Sequence, residues 1–146
     1  MTDFLQPEAA DLAEDARHLL AELDRDVPAV ASFRGECRPP LDVLETTDAV
    51  EVVVDVPGVA VESLRVAVRR GTVLVIGAKL PAATIPGARF HLAERAYGRF
   101  ARAVKLSGAV EASRGTAVVA AGQLRIVVPR IQDRRGEVIK VPVSRG

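Results

Sequence analysis

Apolar residues in the first part of the chain recur at steps of four and three: Leu5, Ala9, Leu12, Ala16, Leu19, Leu23 and Val27. That spacing sets them in one stripe and predicts a helix from Pro7 to about Asp26. Asp3 is placed to cap it, Pro7 is tolerated only near a first turn, Glu8 and Asp11 suit the positive end of the helix dipole, and Pro28 stops it. Such a stripe must be buried against something. A mixed linker, Val27 to Pro40, separates it from the rest of the chain, so its partner is either its own domain or another chain.

From Leu41 onward the period becomes two and Gly and Pro punctuate the segments. Strands are predicted at Leu41 to Glu45, Val50 to Val56, Leu64 to Arg70, Thr72 to Ile76, Arg99 to Leu106, Thr116 to Ala120 and Gln123 to Val128. Turns fall at Pro57-Gly58, Gly71, Gly108, Gly115 and Ala121-Gly122. Val50, Val52, Val54 and Val56 alternate with Glu51 and Asp55, and Leu64, Val66 and Val68 alternate with Arg65 and Arg69. One apolar and one polar face per strand predicts half-buried antiparallel sheets. Several short strands with closely spaced turns and no helix between them predict an all-β fold, an immunoglobulin-like antiparallel β-sandwich. With the short N-terminal amphipathic helix and an extended C-terminal tail, the chain divides into an arm and linker (1–38), the sandwich (39–130) and an extension (131–146).

Two segments fit neither pattern. Gly77 to Arg95 is too long for a hairpin turn, and connections of that length are usually functional or pair with something. After a charged stretch (Arg130, Asp133, Arg134, Arg135, Glu137) the tail reads Val138-Ile139-Lys140-Val141-Pro142-Val143, alternating aliphatics that suit addition to a sheet edge.

At 146 residues the chain is one domain with short extensions, long enough to build a core without disulfide or metal. Hydrophobic residues make up 49% and aromatics 3%, so the core is built of Val, Leu, Ile and Ala. A net charge of +1, with neither sign in a long block, gives no footprint for nucleic acid. Cys37 is the lone thiol, which excludes an intrachain disulfide and makes a reducing cytoplasm the expected location. No apolar run approaches the ~20 residues of a membrane span, and the acidic N-terminus lacks the order of a secretory signal.

Catalytic constellations are missing. His18 lies on the polar side of the helix and His91 in the long loop, neither with a Cys, Ser or carboxylate at a motif spacing. Gly58, Gly71 and Gly122 are isolated, with no phosphate-cradling cluster. No enzyme activity, cofactor or metal is expected. Arg102 draws attention because alternation puts it on the face of Phe100, Val104 and Leu106. It either snorkels at the rim or pairs at a subunit contact with a loop carboxylate such as Glu94.

Three segments carry a recognisable pattern in order: Asp55-Val56-Pro57-Gly58-Val59 with Glu62-Ser63-Leu64-Arg65-Val66, then Glu94 to Arg102, then Ala117 with Gly122-Gln123-Leu124 and a closing Pro129. Together they resemble the alpha-crystallin domain of small heat shock proteins of the bacterial type, over roughly Pro40 to Val143. The tail resembles that family's Ile-x-Ile/Val anchor in two overlapping versions, Ile139-Lys140-Val141 and Val141-Pro142-Val143. Two departures stand out: Leu80, Pro81, Ala82, Ala83, Ile85 and Pro86 make an apolar loop where the family's is charged, and Ala121 replaces the usual Asn before Gly122.

The resemblance implies an ATP-independent holdase that binds unfolding client proteins and assembles with itself, as a dimer and then a larger homo-oligomer. It implies a dimer interface at Arg102 and the loop carboxylate Glu94, with Phe90 and Leu92 on a strand, Ala88 to Ala93, that swaps onto the partner subunit. It implies that the anchor, Ile139, Val141 and Val143, docks in a groove at Leu64, Val66, Val68 and Val118. Clients would meet the arm at Phe4, Leu5, Leu12, Leu19 and Leu23. Two other readings share the architecture: an adaptor that docks on one folded partner, and a structural self-assembling protein.

Overall fold

The alternating aliphatics meet between two antiparallel sheets. The computed structural model describes residues 10–145 apart from 32, 34, 132–137 and 139. Phe4, Leu5 and Ile139, and the capping positions Asp3, Pro7 and Glu8, lie outside the described residues. The elements are α1 (Ala10–Asp26), α2 (Pro28–Ala31), β1 (Leu41–Glu45), β2 (Ala49–Asp55), β3 (Leu64–Arg69), β4 (Thr72–Lys79), β5 (Gly98–Lys105), β6 (Thr116–Ala120) and β7 (Gln123–Pro129). One sheet has the order β1-β2-β7-β6 and the other β3-β4-β5.

Register explains the core. Val50, Val52 and Val54 of β2 stand opposite Val128, Ile126 and Leu124 of β7, and all six are buried. Facing them are Leu64 of β3, Val73 and Val75 of β4 and Phe100 of β5, completing one aliphatic cluster between the sheets. The hairpins β3–β4 and β6–β7 turn through Arg70-Gly71 and Ala121-Gly122, with both residues of each pair in the left-handed region. Such two-residue turns match the strand twist.

One expectation is corrected, and one left open is answered. The first helix ends at Asp26, as expected, and Pro28 opens the short α2, because the first helical position needs no N–H donor. The strand predicted to stop at Ile76 runs on to Lys79, so the exposed connection begins later; Gly77 and Ala78 are buried strand residues. The helix stripe is covered by its own domain: Ala16 and Leu23 pack with Val30 on Leu74, Ile76, Ala78 and Ala101, the outer face of the three-stranded sheet.

After α2 the linker joins the sheet. Arg99 donates its N–H to the Gly35 carbonyl (2.9 Å) and accepts one from Cys37 (2.9 Å), a short parallel bridge on β5. Gly98 makes this possible: its φ is +138°, and a Cβ there would overlap the Gly35 carbonyl and the Glu36 nitrogen.

Candidate functional site

β3 and β6 are outer strands of opposite sheets, and between them the sandwich is open. The cleft is about 400 Å³, with Val66 and Val68 on one wall, Thr116 and Ala117 on the other, and Ile126 and Val128 as its floor. Apolar lining beside strand edges that are unpaired among the described residues can accept an extended aliphatic segment. Of the four groove residues predicted, Val66 and Val68 line this cleft. Leu64, the next residue along the same face of β3, is buried in the core instead. Val118 is 60% exposed, because pairing of Ala117 with Ile126 and Val119 with Leu124 turns those two inward and Val118 out. Val141 and Val143 are 79% and 98% exposed, so the tail of the isolated chain is not seated there.

The opposite edge is formed by β5 and the linker. Arg102 stands opposite Val75 on the inner face, as alternation predicts, and its Nη1 donates to the Pro39 carbonyl at 2.7 Å. Burial, and then the charge of Arg38, hold its guanidinium below the usual value. Its hydrogen-bond partner within the chain is therefore a backbone carbonyl; Glu94 is exposed in the connection after β4. Phe90 (80% exposed) and Leu92 (73%) stand in the same connection, uncovered by their own chain. Beside this edge, Cys37 donates to the Gly98 carbonyl at 3.3 Å, and burial pushes its thiol up. A raised, half-buried thiol is a poor nucleophile.

The third surface was only half legible. Leu23 is fully buried, and Leu12 and Leu19 are partly covered. Across β3 and β5, arginines clamp α1: Arg65 to Glu22 (3.1 Å) and Asp26 (2.9 Å), Arg69 to Asp15 (2.9 Å), and Arg99 to Asp24 (2.7 Å). The bond to Asp26 is the main cause raising Arg65, against desolvation. Alternation shows Arg65 and Arg69 only as the polar face of a strand. Their spacing, set against acidic residues of the helix, was the available signal.

Among the described residues no group of His, Cys, Asp and Glu is arranged to hold a metal ion, and no helix is long and apolar enough to cross a membrane. A family model, Hsp20/alpha crystallin family, matches residues 42–144. The chain belongs to that family. The 18.9 kDa heat shock protein of Oryza sativa subsp. japonica is 31% identical over 96% of this chain and 81% of its own length. Heat shock protein 16.0 from Schizosaccharomyces pombe superposes with a TM-score of 0.64 at 25% identity, covering 76% of this chain and all of that one. The hspA structure from Xanthomonas axonopodis does so at 0.59 and 26%, covering 65% and 95%. As a small heat shock protein, the chain belongs among the stress chaperones, a family that is not enzymatic, and its sandwich is an alpha-crystallin domain.

Proposed function

We propose that this chain is an ATP-independent holdase that binds unfolding proteins and keeps them from aggregating, working as a dynamic homo-oligomer of dimers in the cytoplasm. The supporting observation is the coexistence of an open apolar cleft beside Val66 and Val68 with an aliphatic tail exposed at Val141 and Val143. A segment that suits a sheet edge and an edge that has no neighbour among the described residues, in one chain, favour assembly between copies. In this reading the chain acts as arm (1–38), sandwich (39–130) and extension (131–146). Arg102, Phe90, Leu92 and Glu94 form the dimer contact, and Ile139, Val141 and Val143 the tail anchor.

Energetics suit exchange. Each aliphatic buried by docking gains about 1.5–3 kcal/mol, against ordering costs of about 1–2 kcal/mol per residue, so one tail contact is weak. Many in a closed assembly are strong together and still release singly. Clients then compete with tails for apolar surface and strand edges, which lowers the free concentration that drives aggregation.

The test is light scattering of a heat-labile enzyme warmed with and without stoichiometric chain, in buffer lacking ATP. Suppressed scattering is expected. Unchecked aggregation beside a folded, oligomeric chain would overturn the holdase and favour an adaptor or structural protein.

A further inference from the structure

The face beneath α1 is a built receptor. Its floor is Leu74, Ile76 and Ala78 of β4 with Ala101 and Ala103 of β5, and the alanines let a helix approach the sheet closely. Arginines rise on both sides: Arg65 and Arg69 from β3, Arg99 from β5. Arg65 and Ile76 are register partners, as are Ile76 and Ala101, so charge and floor belong to the same rows of the sheet. The resident helix shows what the receptor takes. A ridge of Ala16, Leu19, Leu20, Leu23 and Val27 lies in the trough, with Asp15, Glu22 and Asp26 on one flank and Asp24 on the other.

Asp15 and Glu22 are two helical turns apart, about 10.5 Å, and their arginines four strand residues apart, about 13 Å, a difference that long side chains absorb. The match is therefore one of pattern, which other helices can meet. The apolar ridge of the resident is buried at Ala16 and Leu23, but its carboxylates Glu22 and Asp26 are 45% and 53% exposed, so the charged flank is the part of the contact that opens to water. Charge pairs that open to water are weak and screened by salt.

We infer that the outer face of β3-β4-β5 is a docking site for acidic amphipathic helices of other proteins, with α1 as its resident competitor. The ligand has small or leucine residues at three- and four-residue spacing and carboxylates two turns apart on one flank. This rests on the chaperone reading for its use, since it names a class of client segment: acidic helices shed from unfolding proteins.

The probe is a fluorescein-labelled synthetic peptide of residues 10–31, titrated by anisotropy with the full chain at low salt. A full-length Glu22→Lys/Asp24→Lys/Asp26→Lys variant weakens the resident helix and leaves the arginines intact. It is expected to bind the peptide at least tenfold more tightly than the unaltered chain, with faster hydrogen exchange in α1 and unchanged protection in the strands. A peptide with the same carboxylates changed to amides should bind at least tenfold more weakly. If α1 exchanges freely and the peptide still does not bind, or if acidic and amide peptides bind alike, the inference is wrong. Should the triple variant lose its strand protection, full-length Arg65→Glu decides the matter: a peptide carrying Glu22→Lys and Asp26→Lys must then outbind the natural one, and the reverse order overturns the inference. Suppressed aggregation without peptide binding overturns it and leaves the chaperone reading standing. Peptide binding without suppression supports the docking face while the holdase falls.

Discussion

Gly77 and Phe100 are register partners on neighbouring strands, and the Phe100 ring lies over the bare Cα of Gly77. A Cβ on Gly77 would overlap the ring and come within 2.9 Å of the Ser63 carbonyl oxygen. Phe100 is the largest side chain fully enclosed in the core, so the ring has little room to retreat. Gly77→Ala is expected to destabilise the fold by about 1–3 kcal/mol, the usual cost of overpacking. Urea unfolding measures it, and adding Phe100→Leu should recover part of the loss.

Ala121 sits at φ +52° in the turn between β6 and β7. An alanine there carries steric strain that glycine avoids and asparagine tolerates. Ala121→Asn should therefore stabilise the sandwich by up to about 1 kcal/mol, seen as a higher urea midpoint with unchanged slope.

Changing Ile139, Val141 and Val143 together to Gly is expected to reduce the oligomer to dimers while the melting of the sandwich stays as it was. Val141 and Val143 are exposed in the single chain, so nothing in that domain depends on them. Light scattering checks this. An unchanged assembly size would remove the anchor from the proposal.

Burial raises the Cys37 pKa, so the folded chain favours the neutral thiol. Its contribution to stability is fully present below the thiol's ordinary pKa and is lost as pH rises through the folded value. At pH 8 iodoacetamide should modify Cys37 at least tenfold more slowly in the folded chain than in urea. Equal rates would show that the contact with the Gly98 carbonyl does not shield the sulfur.

The sandwich was legible because period-two alternation puts a strand's apolar side chains on one face: Val50, Val52 and Val54 share that face with Leu124, Ile126 and Val128 and turn together toward the other sheet. The seat of α1 was harder. An apolar stripe says that a helix is covered but not by what. The missing half lay in β4, where Val73, Leu74, Val75 and Ile76 run without alternation and all four are buried. A strand apolar on both faces is covered on both faces. Val118 and Val119 posed the opposite difficulty, since two adjacent valines do not reveal which turns inward; the register with Arg125 and Leu124 decides it. Arg102 was correctly placed on its face, but its bond to Pro39 depends on where the linker crosses, which no local pattern encodes.

That crossing also sets a threshold. Gly35 and Cys37 hold the linker to Arg99 of β5, so α1 is leashed within a few residues of its own berth. A short leash presents its cargo at an effective concentration on the order of millimolar. A stray helix at micromolar level must then bind roughly a thousandfold more tightly than α1 to displace it, or arrive in bulk. The berth is thus indifferent to traces of damaged protein and fills when damage becomes abundant, a dose response written into the length of a linker.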